Sequence, residues 1–174
     1  LAADLALERL GKTRRVTTAE RPIGGGRRFP PDRAEWIAKT AREKGISGDR
    51  MGELFARYGT EAEAIAAFIV AAPDVPLPQA AYSEREILFL IRNEAVEHLD
   101  DVLLRRTTLA ITGTLSLEMT DAVLDLLAAE KAWTPALRAA ERSRFLTLLR
   151  DRHGVDELTL SARNEQRSKK CETT

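Results

Sequence analysis

Glu94-Ala95-Val96-Glu97-His98-Leu99-Asp100-Asp101-Val102-Leu103-Leu104-Arg105-Arg106-Thr107 sets acids, a histidine and paired arginines inside an apolar pattern of helical period. Read as one continuous helix, the run places Glu94, His98, Asp101 and Arg105 at i, i+4, i+7 and i+11, beside an apolar stripe of Ala95, Val96, Leu99, Val102 and Leu103. These polar groups then border the core, where charge is normally paired. Asp101 followed by Arg105 four residues on is the favourable order for a helical ion pair. Arg92, Glu94, Asp100, Asp101, Arg105 and Arg106 are therefore expected to form a structural ion-pair network.

Two other chemistries compete for the same residues. Glu94, His98 and Asp101 have a spacing that permits a divalent metal, but the neighbouring arginine repels a cation, and no metal is expected. Arg92, Arg105 and Arg106 are candidate anion-binding residues, because planar guanidinium groups grip phosphate in pairs. Acids within helical reach compete for them. His98 and His153 have no serine or cysteine nucleophile arranged with them, so no catalytic residue is expected in this chain.

Outward from the run, the punctuation is helical. Leu1 to Leu10 is amphipathic and closes at Gly11. Residues 12–29, with Pro22 and Gly24 to Gly26, read as an irregular surface connection, made basic by Arg14, Arg15, Arg21, Arg27 and Arg28. The glycine cluster lacks the preceding strand and the following lysine-serine pair of a phosphate loop. Pro30 and Pro31 preset a second helix running to Gly45, and Ser47 caps a third ending at Gly59. Thr60 and Glu63 read as the capping box of a fourth, apolar nearly all round from Ala64 to Ala72 and hence buried.

Pro73, Pro76 and Pro78 predict an extended connector to Ala81, at which two helical subdomains, about 1–72 and 82–154, would meet. Ser83 and Glu86 form another capping box, opening the helix that enters the first-quoted run. A stretch from Val102 to about Ile111 continues it to a break at Gly113; Ser116 and then Thr134-Pro135 open the last two helices, the second ending at Gly154. Only Val16–Thr18 and Leu158–Leu160 are weak strand candidates. The expected fold is all-α, a compact bundle of about seven to eight helices over residues 1–160, with a flexible polar tail over 161–174.

The 174 residues, 44% hydrophobic and 31% charged, suffice for one well-buried core. Lys plus Arg and Asp plus Glu stand at 27 each, so no bulk field recruits nucleic acid. The lone cysteine, Cys171, excludes an intrachain disulfide, which fits a cytoplasmic setting. Starting at Leu1 inside an amphipathic pattern, the chain reads as a piece of a longer protein.

Tyr82-Ser83-Glu84 followed by an apolar helix, Arg92-Asn93-Glu94, and the histidine-diacid-Arg-Arg-Thr run together resemble the C-terminal domain of FAD-dependent (aerobic) glycerol-3-phosphate dehydrogenases. Asp4 on the first helix, the loop with Pro22 and the glycine cluster, and Arg57-Tyr58-Gly59 are similar in order and spacing. The resemblance covers about Leu1 to Gly154, with Thr108 standing where the family often has a basic residue. It implies a parent enzyme that oxidises glycerol 3-phosphate to dihydroxyacetone phosphate and passes electrons from FAD to a quinone or oxygen at the cytoplasmic membrane surface. It further implies an N-terminal FAD-binding domain as partner, FAD held there and not by this fragment, and a non-catalytic cap role that extends to dimerisation or membrane association. A freestanding all-α module taking an acidic or phosphorylated ligand near Arg92, Arg105 and Arg106 is the rival reading.

Overall fold

The structure is a computed structural model that describes residues 2–13, 21–78 and 80–171, with side chains described as far as Asn164. Leu1, Arg14, Arg15, the weak strand Val16–Thr18 and the side chain of Cys171 lie outside the described residues. Among the described residues the chain forms eight α-helices and no strand: α1 (Ala2–Arg9), α2 (Arg33–Lys44), α3 (Gly48–Tyr58), α4 (Ala62–Val70), α5 (Glu84–Asn93), α6 (Leu117–Glu130), α7 (Pro135–His153) and α8 (Glu157–Cys171). The fold is all-α, and no described helix is long and apolar enough to cross a membrane.

Side-chain caps fix most starts. Ser47 Oγ accepts the Arg50 N–H at 3.1 Å, Ser83 Oγ the Glu86 N–H at 3.4 Å, Ser116 Oγ the Met119 N–H at 3.2 Å and Thr134 Oγ1 the Leu137 N–H at 3.3 Å. Two starts differ from expectation. α2 begins after Asp32, whose carboxylate accepts the Glu35 N–H at 2.9 Å, so Pro30 and Pro31 lie ahead of the helix. Thr60 sits in a 3-10 turn over Gly59–Glu61 and caps nothing; its hydroxyl is used on the glycine loop instead.

The core is bipartite. Ala41, Met51, Leu54, Phe55, Ala62, Ile65, Ala66 and Ile69 form one cluster from α2, α3 and α4. The larger cluster runs from Leu77 and Tyr82 through α5 and α6 to Phe145, Leu149 and Leu160, and Tyr58 borders both. Each fully buried aliphatic or aromatic side chain contributes roughly 1.5–3 kcal/mol relative to exposure. α4 buries Ala62, Ile65, Ala66 and Ile69 against its neighbours α2, α3 and α5 and leaves Val70 exposed, so it is buried on one face and not all round.

The expected extended connector is a pinned loop. Leu77 N–H donates to Tyr82 O at 2.9 Å and Glu84 N–H to Val75 O at 2.8 Å, around an isolated antiparallel bridge between Pro76 and Ser83. The prolines occupy positions whose N–H is not needed. Residues 158–160 are helical, not a strand, and residues 161–171 continue α8 where an aperiodic tail was expected. Its first turns are tied down, with Arg163 Nη1 donating to Leu115 O at 3.0 Å and Asn164 Oδ1 accepting the Glu118 N–H at 3.2 Å.

The largest departure lies in the decisive run. α5 stops at Asn93, Glu94 turns extended at φ −111° and ψ 163°, and only after His98 does the chain coil again, with a π-helical segment over Asp101–Arg106. Thr107 is extended in turn, so no helix continues to Ile111. The break persists because each freed amide of 97–99 finds a carboxylate, as described next.

Candidate functional site

Charged side chains collect at two joints, each centred on a buried carboxylate. The first is Glu86, on the first turn of α5 and 0% exposed. Its Oε2 accepts Arg50 Nη2 at 2.6 Å and Arg57 Nη2 at 3.1 Å, and its Oε1 accepts Arg57 Nε at 2.9 Å and Tyr58 Oη at 2.7 Å. Arg50 and Arg57 also donate to the Ala81 carbonyl, at 2.8 and 3.0 Å, so α3 is bolted to both α5 and the connector. Two arginines and a phenol satisfy the carboxylate fully, as burial of a charge requires. Burial, with the Glu86 charge, pushes the Tyr58 phenol far up, so it stays a hydrogen-bond donor.

Arg57 also lies over the Tyr82 ring, 4.4 Å from its centroid. The Tyr82 hydroxyl accepts the Thr108 N–H at 3.1 Å and sits 3.3 Å from Thr108 Oγ1. Thr108 is thus occupied in packing the connector against the end of the π-helical segment.

The second joint holds residues 97–106. Asp101 Oδ2 accepts the N–H of Glu97 at 3.0 Å and of His98 at 2.9 Å, the reach-back half of a capping box with His98 at the cap. Glu141, on α7, accepts the Leu99 N–H at 2.7 Å through Oε1 and lies 3.2 Å from His98 Nδ1 through Oε2. Arg144 holds Glu141 at 2.8 and 2.7 Å and reaches on to Asp100. Arg105 bridges Asp100, at 3.2 Å, and Asp101; Arg106 faces Glu94 at 3.4 Å. Arg92 forms a bidentate pair with Glu130 on α6, at 2.8 and 2.7 Å.

The electrostatics follow from these partners. Burial raises the Asp101 carboxyl, but the N–H groups of Glu97 and His98 and the Arg105 guanidinium outweigh it and hold it below its ordinary value. Burial likewise raises Glu141, and Arg144, the Leu99 N–H and His98 together bring it below its ordinary value.

A cleft of about 540 Å³ is lined by residues of both regions, among them Arg57 and Tyr58, Gly25, Phe89, and Asn93 and Glu94. The glycine loop forms one wall and is clasped there. Gly25 O accepts Thr60 N–H at 3.0 Å and Thr60 Oγ1 at 3.2 Å, and Arg27 O accepts Thr60 Oγ1 at 2.8 Å. Gly25 (φ +74°) and Gly59 (φ +58°) cross backbone to backbone, and a Cβ on either would collide with main-chain atoms of Tyr58 or Gly25. At Gly25 the cluster is therefore a structural contact with Gly59, and among the described residues no strand precedes it.

Of the sequence-predicted residues, Glu94, Asp100, Asp101, Arg105 and Arg106 come together, but around a broken chain and not along one helix face. Arg92 turns away from them to α6. Among the described residues no three His, Cys, Asp or Glu side chains converge as a metal site requires. His153 is the last residue of α7, ahead of the left-handed Gly154. In the sequence Glu86 is legible only as a capping-box acid, and Glu141 and Arg144 join the site through the fold. The available signal for Glu141 is its phase: it falls four residues before Phe145 and eight before Leu149 on the buried stripe.

The family described as the C-terminal domain of alpha-glycerophosphate oxidase matches residues 16–138. The chain belongs to this family. No curated protein matches it. The stretch matched to the oxidase C-terminal domain holds the Glu86 joint, the glycine crossing and the whole 94–107 run. Glu141 and Arg144 lie beyond it, as does α1 on the other side.

Proposed function

We propose that this chain is the non-catalytic helical cap of an FAD-dependent enzyme that oxidises glycerol 3-phosphate to dihydroxyacetone phosphate, with a quinone as the favoured electron acceptor. Membership of the oxidase C-terminal-domain family supports an oxidoreductase parent with a flavin-binding domain preceding this one. The observation that carries the cap role is the state of the charged groups. Arg92, Arg105 and Arg106, which a phosphate-binding module would aim outward, each hold a carboxylate of the same chain. The joints spend the domain's chemistry on rigidity, which suits a body that stabilises the flavin domain by packing. Dimerisation and a peripheral place on the cytoplasmic face of the membrane belong to the same reading, through the parent.

The test is expression of the full-length protein that contains this chain. It should purify with stoichiometric flavin that glycerol 3-phosphate bleaches anaerobically, and this chain alone should bind no FAD after reconstitution. A full-length protein without flavin, or one whose flavin glycerol 3-phosphate leaves oxidised, overturns the proposal.

A further inference from the structure

We propose that the surface carried by residues 21–33 is the seat on which the preceding domain of the parent docks, through a face that is acidic around an apolar centre. This rests on the functional reading above. Ile23 is 84% exposed and Phe29 52%, and Arg21, Arg27 and Arg28 surround them in sequence, all exposed. None of these three arginines holds an acid among the described residues, whereas Arg50, Arg57, Arg105, Arg106 and Arg144 at the joints all do. Exposed apolar side chains and unspent cations on one short segment have the composition of an interface with its partner removed.

The segment is built as a platform. Thr60 clasps it from the α3–α4 turn, the Phe29 ring packs 5.2 Å from that of buried Phe55, and the Arg33 guanidinium lies 5.2 Å from the same ring. Arg28 holds φ +52°, a left-handed conformation that a non-glycine residue keeps only where its surroundings impose it. A solvated linker needs none of this. The position also fits: the family match begins at residue 16, so the platform stands at the entrance to the domain, and α1, ahead of it, contributes no residue to either core cluster. Complementary charge selects an acidic rim on the partner and makes docking salt-dependent.

The test uses the full-length protein with the double variant Arg27→Glu/Arg28→Glu, the variant Ile23→Asp, and Arg152→Glu as a control at an exposed arginine that also lacks an acid among the described residues. Hydrogen exchange should show amides of 21–29 protected in the parent, and the platform variants should speed that exchange about ten-fold or more while Arg152→Glu leaves it unchanged. Exchange at 21–29 that is already as fast as in an exposed loop, or that the platform variants leave unchanged, overturns the proposal. Flotation of the parent with phosphatidylglycerol vesicles, abolished by the double variant, also overturns it in favour of a lipid surface. Exchange is read without reference to flavin, so a flavin-free parent with protected 21–29 sinks the functional reading alone.

Discussion

Glu141 Oε1 accepts the Leu99 N–H at 2.7 Å, so a carboxylate on α7 starts a helical turn that lies 42 residues earlier in the chain. Removing it leaves the Leu99 amide without its acceptor and Arg144 with Asp100 alone. Glu141→Ala is expected to cost about 3 kcal/mol. Glu141→Gln, which keeps an acceptor but loses the charge, should cost about half as much. Urea unfolding at unchanged m-value measures both, and equal losses would refute the division of labour between amide and arginine.

Acid should weaken the same joint. Asp101 and Glu141 both titrate below their ordinary values in the folded protein, so the unfolded chain takes up protons first as pH falls. Their contribution is therefore complete above the ordinary carboxylate range, around pH 4, and is lost as pH drops through the lower folded-state values. Melting temperature followed downward from pH 6 should fall less steeply in Glu141→Gln than in the wild type; parallel curves would show that Glu141 is not among the groups responsible.

Glu86 should couple the two core clusters. Trp36 packs against one cluster and Trp133 against the other, so the two single-tryptophan proteins Trp36→Phe and Trp133→Phe report the halves separately. In a Glu86→Gln background, Arg50 and Arg57 lose their shared charge, at an expected cost of about 3–5 kcal/mol. The two fluorescence transitions, coincident with Glu86 in place, should then separate. Coincident transitions in the variant would show that apolar packing at Tyr58 and Phe89 couples the halves unaided.

Gly25→Ala and Gly59→Ala should each destabilise the protein by more than about 2 kcal/mol, from the positive-φ backbone and the collision together; Gly59, at ψ −134°, lies outside the left-handed helical region and should suffer more from its backbone than an ordinary left-handed position. Gly45→Ala, at φ +72° and ψ 32° with nothing within 4 Å of the added carbon, gives the cost of an ordinary left-handed position without a collision and should cost about 1 kcal/mol. Calorimetric unfolding of the three variants separates the contributions, and equal losses would mean that the glycine loop yields.

The helices and most caps were legible because Ser47, Ser83, Ser116 and Thr134 act locally, on amides three residues away. What stayed hidden is non-local. A continuous helix through Glu94–Thr107 satisfies every sequence rule, and it loses only because Asp101 and the distant Glu141 together supply acceptors for the amides that the break exposes. The same holds for Glu86, whose spacing from Ser83 fits a capping box while its partners lie 28 to 36 residues back. Thr60 shows the reverse error: a good cap by spacing, drawn away by the carbonyls of Gly25 and Arg27.

The crossing of Gly25 and Gly59 also limits how this sequence can drift. At an ordinary tight contact, an enlarged residue can be accommodated by a smaller neighbour, and the pair can change in two steps. Here the atoms in the way are backbone carbonyls, so neither position has a side chain to give up. No second substitution at the crossing rescues the first, and relief must come from a change in the length or path of the loop itself. The two glycines are thus expected to persist together or to vanish together with an insertion or deletion in residues 21–29.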